Sequence, residues 1–113
     1  MIKPNDPRDL VMNLLPRSLC QVQVAAVIVD SSGRIIGWGW NHSGPDGLGL
    51  CAERHAIKRS NGNRLAGGIV FVAGQWKKTG KLVNAIPCVK CQKALMNRKV
   101  MWMYRDDKGG WKV

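Results

Sequence analysis

The chain has 113 residues, enough for one hydrophobic core and too few for two, so residues 1–113 are expected to form a single domain. With 45% hydrophobic and 22% charged residues, its composition is that of a globular protein. No apolar run approaches the length of a membrane span, and the N-terminus lacks the apolar core of a secretion signal. We therefore expect a cytoplasmic protein with no membrane partner.

The net charge of +11 is high for so short a chain, and the cations are concentrated in its second half. No acidic residue lies between Glu53 and Asp106. A solvated surface usually mixes both signs, so this acid-free stretch indicates an anionic partner, although a basic surface kept for solubility is an alternative. The cations of the acid-free stretch are Arg54, Lys58, Arg59, Arg64, Lys77, Lys78, Lys81, Lys90, Lys93, Arg98, Lys99 and Arg105.

The first part of the chain predicts one short helix and two strands. Asp6 and Pro7 are typical of an N-cap and a first helical position, and Pro16 should end that helix. Residues 21–29, rich in valine and alanine, predict a buried strand, and residues 34–40 predict a second strand after a turn.

The rest of the chain alternates between helices and strands. We expect a glycine-rich loop at 41–50, a helix at 51–60, a strand at 69–73, a long basic loop at 74–86, a helix at 87–97, a strand at 99–104 and a short last strand after the turn at 106–110. This order predicts a three-layer α/β fold in which helices flank a mixed five-stranded sheet. A tight turn joins the last two strands, which should therefore be antiparallel.

Two short motifs carry the reactive side chains. The first is Cys51-Ala52-Glu53-Arg54 and the second is Pro87-Cys88-Val89-Lys90-Cys91, each at the start of a predicted helix. Together they offer three thiols and the only glutamate in the chain. A hydrolytic zinc site needs three protein ligands, an open fourth position for water and a proton carrier that does not bind the metal. Cysteines used as metal ligands also agree with a reducing compartment.

The two motifs, with a strand between them, resemble the signature of the zinc-dependent cytidine and deoxycytidylate deaminase superfamily, [HC]-x-E followed by P-C-x-x-C. The Cys-Ala-Glu-Arg string is most similar to the cytidine deaminase branch. The resemblance implies the deaminase fold, a Zn²⁺ held by Cys51, Cys88 and Cys91, and hydrolytic conversion of cytosine to uracil. Glu53 would be the catalytic proton carrier, and Arg54 would donate hydrogen bonds to the ligand sulfurs.

The resemblance also implies substrate contacts. Asn41 stands where the family places an asparagine that hydrogen-bonds the sugar, and the backbone of Ala52 would read the base edge. Free cytidine deaminases carry Asn-x-Glu at this asparagine, and that glutamate holds the ribose hydroxyls. Here the string is Asn41-His42-Ser43, so that contact is missing.

The missing contact and the acid-free stretch favour cytosine in single-stranded DNA or RNA as the substrate. Single strands bind through cationic grooves and aromatic platforms. Trp76, beside two lysines, is the expected exposed platform, and Tyr104 and Arg105 follow the fourth strand, where nucleic-acid deaminases read neighbouring bases. Trp38 and Trp40 should face one side of their strand and are equally consistent with a place in the core.

Other functions stay open at this point. The chain is also consistent with a deaminase of free cytidine, deoxycytidine or a nucleotide in pyrimidine salvage, or with adenine chemistry. A closed zinc knot in a basic nucleic-acid-binding module is a further alternative, with His55 or His42 as the fourth ligand. The family resemblance also makes a homo-oligomer an expectation.

Overall fold

The structure, a computed structural model, describes residues 6–42, 51–60 and 62–113. Of the predicted loop at 41–50, residues 43–50 lie outside the described residues. Membrane-spanning helices are absent from the described part of the chain, whose longest helix has nine residues. The elements are α1 (Pro7–Leu14), β1 (Val22–Val29), β2 (Ile35–Trp40), α2 (Ala52–Arg59), β3 (Ile69–Trp76), β4 (Leu82–Val83), α3 (Val89–Asn97), β5 (Met101–Arg105) and β6 (Trp111–Lys112), with 3₁₀ turns at Leu15–Arg17 and Gly62–Arg64.

The sheet is mixed, as predicted, and its five main strands lie in the order β2-β1-β3-β5-β6. The β3–β5 pair is parallel and the other pairs are antiparallel, including the last two strands β5 and β6. A sixth strand, β4, lies within the predicted basic loop and pairs with β3 at Gly74 and Gln75. β1 pairs with the whole of β3, so β4 occupies the other edge of β3, beyond the end of β5.

The three-layer arrangement follows from the alternation of side chains along β1. Ala26 and Ile28 belong to a core cluster shared with residues of α2 and α3, whereas Ala25 and Val27 belong to a second cluster shared with α1. Successive strand residues point to opposite faces, so a strand buried on both faces must be covered by helices on both. The sheet therefore lies between α1 on one face and α2 with α3 on the other, which confirms the predicted fold class.

Three element boundaries differ from the sequence-based prediction by two residues or more. β3 runs on to Trp76 because β1 pairs with it along its full length. α3 begins at Val89, two residues later than predicted, because Cys88 has an extended backbone with ψ 165° and acts as the N-cap. Lys99 lies outside β5, because its backbone is left-handed with φ 59° where the chain leaves α3, and β5 begins at Met101.

The position of α2 depends on two glycines of the edge strand β2. A Cβ atom on Gly37 would lie 2.6 Å from the backbone oxygen of Ala56, and one on Gly39 would lie 2.6 Å from its backbone nitrogen. Real Cβ atoms essentially never come so close, so α2 packs backbone to backbone against β2 only because these positions lack side chains. This contact fixes the helix whose start carries Cys51 and Glu53.

Candidate zinc centre and active-site cavity

Two helix starts bring the three predicted zinc ligands together. Cys51 is the N-cap of α2 and Cys88 is the N-cap of α3, while Cys91 lies in the first turn of α3. Their sulfur atoms all lie within 4.8 Å of one another. The positive ends of two helix dipoles therefore point towards the same spot, which favours thiolates and other anions there.

The donor set fits zinc. Three soft sulfur ligands suit Zn²⁺, and tetrahedral thiolates about 2.3 Å from the ion lie roughly 3.8 Å apart, which is compatible with this cluster. Burial raises the pKa values of the Cys51 and Cys91 thiols. Desolvation also acts to raise the pKa of the Cys88 thiol, but hydrogen bonds from the Cys91 N–H and from the thiols of Cys91 and Cys51 outweigh it and lower that pKa.

Glu53 is buried beside the cysteines and is no member of the group of candidate ligands. Only 5% of its surface is exposed, and this burial raises the pKa of its carboxyl, although the nearby charge of Arg54 and a hydrogen bond from the Cys91 thiol act in the opposite direction. Within the described residues, Arg54 makes no hydrogen bond to the three sulfurs. Its charge is nevertheless close enough to act against the burial that raises the pKa of the Cys51 thiol.

The two histidines do not complete a closed metal knot. His55 Nδ1 accepts a hydrogen bond from the Trp40 N–H at 3.1 Å and lies 3.2 Å from His42 Nε2. Burial lowers the pKa of His55, and the nearby His42 and Arg59 lower it further. Among the residues that the structure describes, neither histidine belongs to the cysteine cluster.

A cavity of about 220 Å³ adjoins the cysteines and Glu53. The starts of α2 and β1 and the end of β2 form part of its wall, and the segment from β4 to the start of α3 forms the rest. Three of the predicted site residues, Asn41, Ala52 and Glu53, line it together with two of the thiols. The lining residues are Val22, Val24, Asn41, Cys51, Ala52, Glu53, Val83, Asn84, Ala85, Ile86 and Cys88.

Asn41 is held in place by the neighbouring strand. Its Oδ1 accepts hydrogen bonds from the Ser18 hydroxyl at 2.6 Å and from the Val24 N–H at 2.9 Å, and its Nδ2 donates to the Val22 carbonyl at 2.8 Å. One of the two Nδ2 hydrogens has no acceptor among the described residues. The side chain therefore has a structural role that the sequence did not indicate.

Three other predicted substrate contacts lie outside the cavity lining. Trp76 is 47% exposed at the end of β3, and Tyr104 packs against the core cluster. The Arg105 side chain donates from Nε to the Gly109 carbonyl at 3.1 Å, in the turn between β5 and β6. The backbone oxygen of Arg105 accepts from the Ala85 N–H at 3.1 Å, so this strand end supports the cavity wall without lining it.

The cavity wall formed by residues 83–86 was not predicted from the sequence. Its only local signal is that it directly precedes Pro87 and the Cys-x-x-Cys pair, so a chain that delivers two zinc ligands must pass the site. β4 fixes this segment by pairing Val83 with Gly74. The pairing of β4 forms only when the chain has folded. A strand of two residues is too short to show an alternating pattern in the sequence.

Comparisons with known proteins agree with this site. Residues 10–104 match the family model for the cytidine and deoxycytidylate deaminase zinc-binding region. A search of curated proteins found no significant match. Among solved structures, cytidine deaminase from Burkholderia pseudomallei superposes with a TM-score of 0.72 at 15% identity, over 98% of this chain and 91% of that one.

Two further structures are similar in fold. Cytidine deaminase from Mycobacterium leprae gives a TM-score of 0.64 at 21% identity, over 93% of this chain and 87% of that one. The deoxycytidylate (dCMP) deaminase of the cyanophage S-TIM5 gives 0.57 at 23% identity, over 93% of this chain and 86% of that one. The family match spans most of the chain and includes all three cysteines and Glu53. The chain therefore belongs to the zinc-dependent cytidine and deoxycytidylate deaminases, which are hydrolases.

Proposed function

We propose that this protein converts cytosine to uracil in single-stranded nucleic acid. The observation that carries the proposal is that, within the part of the chain that the structure describes, almost no cation of the acid-free stretch is paired with a carboxylate. Among the described residues, Arg64 is the one cation of the acid-free stretch with a carboxylate within 4 Å, at 3.7 Å from Asp30. Except for Arg54, whose charge acts on Cys51 and Glu53, the other cations of that stretch have no carboxylate partner among the described residues, and such charge attracts a polyanion to the protein.

The proposed chemistry uses the residues that line the cavity. Zn²⁺ bound by the three cysteines would supply a water whose pKa is lowered towards about 7. Glu53 Oε would take one proton from the water that adds to C4 of the cytosine ring and deliver it to N3, and would then move the remaining hydroxyl proton to the exocyclic nitrogen, so that the bond from C4 to that nitrogen breaks and ammonia leaves. Burial of Glu53 suits this work, because a carboxyl with a raised pKa both takes and returns a proton readily.

Positioning of the base falls to two neighbouring groups. The backbone of Ala52 reads the edge of the ring, and the remaining Nδ2 hydrogen of Asn41 is offered to the sugar. Arg54 offsets the negative charge of three thiolates and so preserves the electrophilic character of the site. These roles form one proposal, and Glu53 is the residue on which turnover depends most.

Deamination of a free nucleoside or nucleotide is the second candidate. The observation in its favour is that the similar structures are named as cytidine deaminases and a dCMP deaminase. The missing Asn-x-Glu glutamate weighs against it, because His42 follows Asn41 and Ser43 stands where that glutamate would be.

A substrate panel tests the choice. The protein is incubated with cytidine, deoxycytidine, dCMP and single-stranded DNA and RNA oligonucleotides that contain one cytosine, and uracil is quantified. We expect kcat/KM for at least one oligonucleotide to exceed that for every free substrate by tenfold or more. A Glu53→Gln variant prepared in parallel controls for a contaminating deaminase. Faster turnover of a free substrate would contradict the proposal and favour the second candidate.

A further inference from the structure

Two further depressions lie beside the edge strand β2. The first, of about 260 Å³, shares Asn41 with the zinc cavity and includes Trp40 and Arg17. The second, of about 870 Å³, shares Arg17 with the first and includes Trp38. The zinc cavity and the two depressions are therefore neighbours, and each shares one lining residue with the next. We call the two depressions together the β2 groove, with Arg17, Arg34, Trp38, Trp40 and Arg59 as its defining residues.

The β2 groove is lined by cations without carboxylate partners. Arg17, Arg34 and Arg59 come from three separate parts of the fold and are all exposed. Among the described residues, none of them has a carboxylate within 4 Å and no acidic side chain lines either depression. Uncompensated guanidinium groups around one groove create a positive potential that attracts phosphates.

Two tryptophans hold two of the three arginines, Arg17 and Arg59, in position. The Arg59 Cζ lies 5.8 Å from the ring centroid of Trp38 and 5.1 Å from that of Trp40, and the Arg17 Cζ lies 5.6 Å from the Trp40 centroid. These are cation–π distances. When a guanidinium stacks on an aromatic ring, its N–H groups, which lie in the guanidinium plane, stay free at its edge. They can then donate to two phosphate oxygens at once. Trp38 is also 42% exposed, so its ring can accept a base.

We propose that the β2 groove binds the part of a single-stranded nucleic acid that flanks the target cytosine. Phosphates would contact Arg17, Arg34 and Arg59, and a flanking base would stack on or beside Trp38. This proposal rests on the proposed function and deepens it, because it states where the nucleic acid on either side of the target cytosine binds. β2 has six residues and spans roughly 20 Å, so the groove is long enough for several nucleotides.

This binding surface differs from the one predicted by the sequence, which uses the hairpin with Trp76, Lys77 and Lys78. Of this β3–β4 hairpin, Val83 lines the zinc cavity, whereas Trp76, Lys77 and Lys78 do not. Among the described residues, cation–π contacts place Arg17 and Arg59 against the groove tryptophans, and no such contact places Lys77 or Lys78. The arrangement of cations and rings therefore favours the groove.

The test compares three double variants that each remove two charges. Arg34→Ala/Arg59→Ala alters the groove and Lys77→Ala/Lys78→Ala alters the hairpin. Lys108→Ala/Lys112→Ala, in the turn between β5 and β6 and in β6 itself, lies outside the acid-free stretch and serves as the matched control. The dissociation constant for a labelled oligonucleotide with one cytosine is measured over a salt series. Zinc content and melting temperature verify each fold.

For the groove variant we expect at least a tenfold weaker affinity, and a slope of log affinity against log salt that is reduced in magnitude by about 1.4. The control should change affinity less than twofold. Trp38→Ala should weaken binding about tenfold at every salt concentration, because stacking carries no counterion term. Arg34→Ala alone, in an exposed turn, reduces the slope by about 0.7 and serves if the double variant does not fold.

The outcomes separate the two proposals. If the unaltered protein deaminates the oligonucleotide but the groove variants bind with its affinity and salt slope, the β2 groove proposal is overturned while the proposed function stands. A loss confined to Lys77→Ala/Lys78→Ala would likewise overturn it in favour of the hairpin. If the unaltered protein neither binds nor deaminates the oligonucleotide, the proposed function itself fails.

Discussion

The zinc centre and the β2 groove are built in different ways. The centre lies at two helix starts, and α2 is fixed by backbone packing against Gly37 and Gly39. The groove is lined by three exposed arginines, two of which contact tryptophans by cation–π interactions. The chemistry is thus tied to the stability of the fold, whereas the polynucleotide binding that we propose depends on surface groups that can change without unfolding the protein. Mutations should therefore separate the two properties.

The largest effect is expected at the cysteines. Replacing Cys51, Cys88 or Cys91 with serine should release zinc, abolish deamination and lower the free energy of unfolding by several kcal/mol, because metal binding energy at such a site is partly folding energy. Zinc stoichiometry and chemical denaturation measure both effects. Removal of zinc with a chelator should reproduce them in the unaltered protein.

Cys20 provides the matched control for these variants. It is half-buried and lies outside the cysteine cluster, so Cys20→Ser should retain one zinc per chain. Loss of zinc from this variant, or full zinc content in any of the other three, would contradict the assignment.

Glu53→Gln should separate chemistry from structure. The amide keeps the shape of the side chain but cannot carry a proton, so kcat should fall by about 10²–10⁴ while zinc content and melting temperature stay near those of the unaltered protein. A variant that keeps more than a few per cent of the activity would exclude Glu53 as the proton carrier.

Gly39→Ala tests how firmly the fold supports the centre. The new Cβ would meet the Ala56 nitrogen at 2.6 Å and the His55 Cβ at 2.7 Å, so α2 must shift. We expect a loss of about 1–3 kcal/mol in the free energy of unfolding, measured by urea denaturation of the zinc-loaded protein. Gly62→Ala is the control, because nothing lies within 4 Å of its new Cβ. Equal stability of the two variants would contradict the packing argument.

These variants also show what the sequence could predict. The cysteines, Glu53 and the helices that carry them could be predicted because ligands, helix starts and spacing are all local in the chain. The roles of Gly37 and Gly39 could not be predicted, because the sequence pattern of a strand does not show which helix packs against it. The β2 groove escaped prediction for the same reason, because Arg17, Arg34 and Arg59 meet only after the chain has folded. Trp38 and Trp40 by themselves were equally compatible with the core.

The smallest effect is expected at the turn that presents Arg34 to the groove. Asp30 accepts hydrogen bonds from the Ser32 hydroxyl at 2.7 Å and from the Arg34 N–H at 3.0 Å, and these lower the pKa of its carboxyl. A carboxyl whose pKa is lower in the folded state than in the unfolded state stabilises the fold at pH values above its unfolded-state pKa of about 3.9. This contribution is lost as the pH falls through the folded-state pKa. The melting temperature of the Asp30→Asn variant at pH 7 should therefore be slightly lower than that of the unaltered protein.

The difference in melting temperature between Asp30→Asn and the unaltered protein should shrink as the pH falls below about 4. Thermal melts over a pH series measure it. A difference that stays constant with pH would show that the carboxylate charge does not stabilise this turn.

The central claim is that exposed cations select a polynucleotide as the substrate of a conventional zinc centre. The most direct test is to compare how salt changes the turnover of two substrates. kcat/KM is measured for a cytosine-containing single strand and for free deoxycytidine from about 50 to about 200 mM salt. With four phosphate contacts, the account predicts a slope near −3 in log kcat/KM against log salt for the single strand, and a slope near zero for deoxycytidine. A flat profile for the single strand, together with efficient turnover of deoxycytidine, would contradict it.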